Sequence, residues 1–437
     1  MNFAKFLHYN TKTIAFHKLF AYNDKNNEII KRGAVMNIIR ERYFEKLIGY
    51  KDKQIIKVIT GVRRCGKSTL LKMFEEYLLK QGAAVEQIIS INFEDFAYQS
   101  LWDAQNLYDY IKERVLPKKM YLILDEIQNV KDFQRVVDSY FIQDNVDIYI
   151  TGSNAHLLSG ELATLLSGRY VKIEMLPLSF AEFVQARQME CNLERAYQKY
   201  IELSSFPYIT RLEETSEQVS EYLRGIYDTI ILKDVMWRRQ ITDPMMVESV
   251  LRFVMDNVGN QLSTKKISDT MTSEGRKINV RTVESYLKAF MESYIIYQAK
   301  RYDVKGRQYL KTLDKYYIVD VGLRNAMLGS TGSTDVGHIL ENVIYLELIR
   351  RGYDVYIGKV DNLEVDFVAK RGVDILYVQV AATVREASTL ERELRVLKKI
   401  KDNNPKYILT LDIDPVANYD GIKKINALDY LIGNSEL

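Results

Sequence analysis

At 437 residues the chain exceeds one ordinary hydrophobic core, and its length points to roughly two to four domains. Its 47% hydrophobic and 27% charged residues are those of a globular protein, and a net charge of +3 implies neither nucleic acid nor membrane by itself. Two cysteines without paired spacing, Cys65 and Cys191, and only four histidines argue against a disulfide framework or a histidine-rich metal centre.

Residues 1–35 are polar and lack clear periodicity, so they read as an N-terminal extension with no assigned function. They show neither the apolar core nor the cleavage site of a signal peptide, and no apolar run in the chain is long enough for a membrane span. A cytoplasmic protein with no membrane partner is the expectation.

From about residue 36 apolar residues recur at helical spacing through "MNIIRERYFEKLIGY", predicting a leading helix over 36–49. "QIIKVIT" is a short, nearly continuous apolar run that suits a buried parallel strand. A glycine loop follows, and then "KSTLLKMFEEYLLKQG", a helix closed by Gly82. "QIISINFED", "KMYLILDEI" and "VDIYITGSN" read as strands, separated by helices at "NLYDYIKERVL" and "FQRVVDSYFIQ". Alternation of this kind predicts a parallel sheet with helical crossovers from about 50 to 175.

The loop "GVRRCGKS" at 61–68 satisfies the phosphate-loop pattern. Its glycines let the backbone present N–H groups to phosphate oxygens, and the helix behind it adds a favourable dipole. Lys67 supplies a point charge for the β- and γ-phosphates, and the Ser68 hydroxyl suits Mg²⁺. The candidate nucleotide contacts are Gly61, Arg63, Arg64, Cys65, Gly66, Lys67, Ser68 and Thr69. Arg63 and Arg64 can hold phosphate or pair with local carboxylates. Cys65, with no base partner, reads as packed beneath the loop rather than reactive.

Asp125 and Glu126 end the apolar strand "YLILDEI", and strand ends are where parallel sheets bind ligands. Asp125 is the candidate Mg²⁺ holder and Glu126 the candidate general base. A solvated acidic pair opening a turn would show the same two residues. The strand "YITGSN" ends on Ser153 and Asn154, either of which can address a γ-phosphate or simply make a turn.

The helical reading continues through 190–235 with a turn at "SSFPYI". Three helical stretches between 246 and 320 precede strand-like "IIYQAKRY" and "KYYIVDV", a winged-helix pattern. Lys265, Lys266, Arg276, Lys277, Arg281 and Lys288 surround its helix–turn–helix, which admits DNA as a partner or a merely solvated surface. The last hundred residues return to mixed α/β, with helices at "GHILENVIYLELIRRG" and "TLERELRVLKKIK" and strands "LEVDFVAK", "ILYVQVA" and "KYILTLD". The domain boundaries that follow are 1–35, 36–189, 190–245, 246–332 and 333–437.

"GVRRCGKSTLL", "YLILDEIQ", "ITGSNAHLLS", "LLSGRY" and "LPLSFAEF", in this order, resemble the AAA-type ATPases that carry a C-terminal DUF4143 region. The resemblance runs from about Met36 to near the end. It implies an α/β fold: an AAA+ ATPase domain, a helical and winged-helix segment, and a PD-(D/E)XK nuclease-like domain. ATP and Mg²⁺ are the implied cofactors, with Lys67 and Ser68 in Walker A, Asp125 and Glu126 in Walker B, and Asn154 at sensor 1. Arg169 of "SGRY" falls where these proteins have an arginine that can act as a finger, and in trans it would require a homo-oligomer. An ordinary salt-bridging arginine is the other reading of Arg169. In the nuclease-like domain Glu341 and Asp366 match two metal-binding positions, but the third motif reads Gln379-Val380-Ala381. Glutamine brings no charge to a hard dication and alanine cannot replace the lysine, so cleavage is not expected. The readings carried forward are an ATP-hydrolysing machine, an ATP-bound DNA-binding switch and, least favoured, an ATP-gated nuclease.

Overall fold

An apolar run without alternation is satisfied only by burial on both faces, and the run at 54–60 takes up that position. In the computed structural model, which describes residues 38–153, 166, 168–212, 216–237, 241–310, 313–329 and 336–437, it forms β1 (Ile56–Thr60), buried throughout. With β2 (Ile88–Asn92), β3 (Met120–Asp125), β4 (Val146–Gly152) and β5 (Tyr170–Glu174) it builds a parallel sheet in the order β2-β3-β4-β1-β5. β3 and β4 are buried at every position. β5 is absent from the sequence reading because "YVKIE" carries two charges and buries only Ile173 fully.

The predicted helices occur at Lys67–Lys80, Ala104–Lys112 and Phe133–Phe141, and the leading helix runs Glu41–Tyr50. Phe44 of the leading helix meets Phe74 and Tyr77 edge-on, which fixes that helix against Lys67–Lys80. Gly82 takes φ +92°, the left-handed conformation that closes the latter helix cheaply only in glycine.

Beyond β5 come helices Phe180–Arg187, Leu193–Leu203 and Ser216–Thr229, and the last continues into a π-helical stretch, Ile230–Trp237. Helices Pro244–Asp256, Thr264–Ser273 and Val280–Glu292 then accompany a small antiparallel sheet of β6 (Gln261–Leu262, between the first two), β7 (Ile296–Ala299) and β10 (Asp314–Ile318), ordered β6-β10-β7. The connection between β7 and β10 is not a simple loop. Its two short strands, β8 (Arg301–Asp303) and β9 (Gln308–Tyr309), join a different sheet.

That sheet has eight strands in the order β15-β16-β14-β13-β12-β11-β8-β9, where β11 is Asp354–Val360, β12 Leu363–Arg371, β13 Asp374–Ala381, β14 Lys406–Thr410, β15 Ala417–Tyr419 and β16 Ile422–Asn426. Helices Val336–Arg350 and Ala387–Lys398 accompany it as the sequence predicts. The parallel pairing of β8 with β11 ties the small sheet's connection into this larger one. Residues Ile39–Leu437 accordingly form one compact unit.

One charge lies where the apolar pattern hides it. Lys57, in the middle of β1, is fully buried and pairs with buried Asp147 of β4. Asp147 also accepts from the Tyr149 hydroxyl (2.9 Å) and the Asp52 backbone N–H (2.8 Å). Burial lowers the Lys57 pKa, and Asp147 opposes that shift. Removing one partner strands the other charge in the core. Asp147→Ala should therefore cost about 3–5 kcal/mol in urea unfolding, and adding Lys57→Met should recover most of it. Equal stability of wild type and Asp147→Ala would contradict this account.

Candidate nucleotide site

The strand order puts β4 between β1 and β3, so the phosphate loop after β1 and the acids ending β3 face one another across the end of β4. The loop's geometry depends on two glycines. Gly61 has φ +146°, and a Cβ there would lie 2.1 Å from the Met175 carbonyl oxygen. Gly66 has φ +104° and precedes the helix Lys67–Lys80, whose first backbone bond runs from Leu70 N–H to Gly66 O at 2.9 Å.

Lys67 is buried, and its ammonium donates to the carbonyls of Gly61 (3.1 Å) and Val62 (3.3 Å) and lies 3.6 Å from Glu126 Oε1. Burial alone would lower its pKa, but Cys65, Glu126 and Asp125 outweigh that and raise it. The amine stays charged. The Asp125 carboxyl is pushed up by burial and pulled back by hydrogen bonds from Ser68 and Thr151, the latter at 2.5 Å. Thr151 also accepts the Glu126 backbone N–H at 2.9 Å, which fixes Glu126 in its left-handed conformation (φ +55°). Thr151, on β4, thus orients both acids. The sequence reading passed over it because a threonine inside a strand carries no motif signal.

Mg²⁺ prefers oxygen donors, and the Ser68 hydroxyl is near enough to the Asp125 carboxyl to lower its pKa. This pair fits the ion. Thr69 is exposed on the first turn of the helix. Ser153 is buried, and its hydroxyl has no hydrogen-bond partner among the described residues. Asn154 lies outside the described residues.

The Cys65 thiol is fully buried and its pKa is raised by that burial, so only its backbone is offered to a ligand. Arg64 is exposed at φ +67°. Arg63 does not offer its guanidinium to a phosphate here. Its Nε and Nη2 donate to Asp234 (3.0 and 3.3 Å) and its Nη1 to Glu94 (2.8 Å).

Arg169 lies apart from the phosphate loop. Its carbonyl accepts the Ile56 N–H at 2.8 Å, which puts it where β1 begins, and its guanidinium pairs with Asp138. The phosphate loop is at the other end of β1, roughly 15 Å away at the rise of a strand. Arg169 cannot reach a phosphate on its own chain.

Arg40 was not anticipated. Just ahead of the leading helix it is buried and donates to Cys65 O (3.0 Å), Leu176 O (2.7 Å), Pro177 O (3.0 Å) and Glu182 (2.9 Å). Arg350, from the helix Val336–Arg350, donates to the same Pro177 carbonyl at 3.1 Å. The segment "LPLSF" is thereby held between Arg40 ahead of the leading helix and the helix Val336–Arg350. Nothing in the spacing around Arg40 announces this, because all its partners are distant in sequence.

In the C-terminal region Glu341, Asp366 and Gln379 do come together. Glu341 and Asp366 line a pocket of about 550 Å³ with Lys315, Glu364, Arg392 and Glu393. The arrangement does not suit a divalent ion. The Lys315 ammonium lies between Glu341 (2.9 Å) and Glu364 (2.7 Å), and those acids with Asp366 raise its pKa against the opposing effect of burial. Gln379 accepts the Asp366 N–H (2.8 Å) and donates to Glu393 (2.6 Å), a bridge that a glutamate could not make. No group of three or more His, Cys, Asp or Glu side chains among the described residues is arranged to hold a metal.

A family model described as an AAA domain matches residues 53–184, and one described as a domain of unknown function (DUF8612) matches 194–334. An uncharacterized protein of Haemophilus influenzae is 42% identical over 90% of this chain and 98% of its own length. A second uncharacterized protein, from Methanocaldococcus jannaschii, is 32% identical over 86% of this chain and 84% of its own length. The chain belongs to the family these proteins represent, and it carries an AAA domain. The AAA domain contains the phosphate loop and both acids, and DUF8612 covers the helices and small sheet that follow. Among solved structures, a Walker-type ATPase of Pyrococcus abyssi aligns over 67% of this chain and 96% of its own, at 15% identity and TM-score 0.47. AMPPCP-bound DnaA from Aquifex aeolicus aligns over 57% and 86%, at 13% identity and TM-score 0.29. Scores this low carry no functional weight. No helix among the described residues is long and apolar enough to cross a membrane.

The close approach at Gly61 provides a direct check on the loop. Gly61→Ala drives a methyl group into the Met175 carbonyl, and stability should fall by on the order of 3 kcal/mol in thermal or urea unfolding. Gly82→Ala, where no atom lies within 4 Å of the added Cβ, should cost about 1 kcal/mol, the usual penalty of a strained φ. Equal losses in the two variants would contradict the described loop.

Proposed function

We propose that the chain is an ATPase of AAA type that binds ATP with Mg²⁺ at residues 61–69 and hydrolyses it. One observation carries the reading: a buried, charged Lys67 lies 3.6 Å from Glu126, while Ser68 is near enough to Asp125 to lower the pKa of its carboxyl. When ATP enters, the Lys67 ammonium exchanges the Gly61 and Val62 carbonyls for phosphate oxygens, which are stronger partners. Ser68 and Asp125 would hold Mg²⁺, which supplies charge neutralisation on the phosphates. Thr151 keeps the Asp125 carboxylate and the Glu126 backbone in place. Glu126 then polarises the attacking water as general base, and Asn154 is assigned to orient that water or the γ-phosphate.

In this reading Arg169 serves a neighbouring subunit, since its own phosphate loop is out of reach, and turnover requires a homo-oligomer. We assign residues 246–332 to a winged-helix domain and 333–437 to a nuclease-like domain of DUF4143 type without cleavage activity. Lys315 neutralises the acids that would otherwise draw a metal. The nucleotide cycle then moves these domains against the ATPase sheet.

A second reading, an ATP-bound switch that binds DNA, has its own support. Lys265, Lys266, Arg276, Lys277, Arg281 and Lys288 are all exposed on or between helices Thr264–Ser273 and Val280–Glu292. The tie of β8 to β11 works against it, because it denies the connection after β7 the freedom to enter a groove.

Phosphate release separates the two. Glu126→Gln should retain ATP affinity while turnover falls about 10²- to 10⁴-fold, the usual contribution of a general base. Unchanged turnover in this variant would remove the hydrolysis reading. A DNA complex whose salt dependence weakens in Lys277→Ala and Arg281→Ala would favour the switch.

A further inference from the structure

The Arg63 guanidinium is part of the phosphate loop, yet its partners come from two other parts of the chain. Asp234, 171 residues away in sequence, accepts from Nε and Nη2, and Glu94, just beyond β2, accepts from Nη1. Asp234 is buried and lies on the π-helical stretch Ile230–Trp237, outside the AAA domain and within the region matched by DUF8612. A π-helical run is an uncommon, poorly favoured backbone form that occurs where another interaction maintains it. Here the bidentate pair with Arg63 is such an interaction.

We propose that Arg63 and Asp234 form a nucleotide-sensitive latch, closed when no triphosphate is bound and opened when the γ-phosphate draws the guanidinium away from the carboxylate. The inference rests on the ATP-binding reading of the loop and adds the route by which occupancy leaves it. A guanidinium between two carboxylates can exchange either for a phosphate, which offers the same planar two-oxygen geometry and more charge. Arg63 requires little travel, because its backbone lies between Gly61 and Gly66, where the loop curls round the phosphates.

The exchange takes a bidentate partner from buried Asp234, so the π-helical stretch that carries it is held less firmly. Glu94 is half exposed and solvated, so losing Arg63 costs it little. The strain is directed to one side. The π-helical stretch packs against the helix Val280–Glu292, so its displacement reaches the helices and small sheet that follow.

Hydrogen–deuterium exchange on the full chain tests the latch, with calorimetric titration beside it. With Mg²⁺ and a non-hydrolysable ATP analogue, amides of 230–237 should exchange faster than with ADP or no nucleotide. Asp234→Asn, close to isosteric, should show fast exchange there in every state. It should also bind the analogue roughly five- to tenfold more tightly, because the competing carboxylate is gone. Arg63→Lys, which keeps charge but loses the bidentate fork, should also lose the nucleotide-dependent difference. Unchanged or slower exchange at 230–237 in wild type that demonstrably binds the analogue would overturn the latch and leave the ATP-binding reading intact. Weaker analogue binding by folded Asp234→Asn would also overturn it, since Asp234 would then assist the loop rather than compete with it. Absence of any titration heat in wild type would remove both readings.

Discussion

A buried ammonium group without a phosphate must find oxygen elsewhere, and Lys67 finds it in the carbonyls of its own loop and in Glu126. That requirement shapes the site. Lys67 can be buried only if the loop turns its carbonyls inward, which in turn requires the left-handed conformations at Gly61 and Gly66. The carboxylates opposite cannot spread apart without leaving the cation uncompensated. Thr151 holds them from β4 through a neutral hydroxyl. The site is therefore set before ligand arrives, and a triphosphate replaces weak oxygen partners with strong ones.

Arginines extend this constraint to the rest of the molecule. Arg40 joins the phosphate loop to the segment after β5, and Arg350 brings the helix Val336–Arg350 to the same carbonyl of Pro177. Arg63 joins the upper side of the loop to Asp234. Guanidinium groups suit these junctions because their several donors satisfy carbonyls and carboxylates together at points where burial prevents water from doing so. Hydrogen bonds thus link the loop to the leading helix and to the π-helical stretch.

The sequence made the parallel sheet legible because both faces of β1, β3 and β4 are buried, and such strands appear as unbroken apolar runs. β5 was missed for the opposite reason: at the sheet's edge it needs few apolar residues. The phosphate loop and the two acids were legible because their chemistry demands particular residue types at fixed spacing. Arg40, Thr151 and Asp234 were not, because each acts through partners that only the fold brings near. The pairing of β7 with β10 was anticipated, but the diversion of β8 and β9 into the larger sheet was not. Two- and three-residue strands have no periodicity to detect. In the C-terminal region Gln379 and Ala381 signalled a departure from a metal site, and Lys315, from a strand outside that region, accounts for where the charge balance went.

Calorimetric titration of the folded chain with ATP and Mg²⁺ is the most direct test of the central claim, that Lys67 and its loop exist to hold a triphosphate. The account predicts saturable heat at one site per chain in wild type and none in a folded Lys67→Ala variant. Wild type that gives no heat, or a Lys67→Ala variant that binds as tightly as wild type, would contradict it.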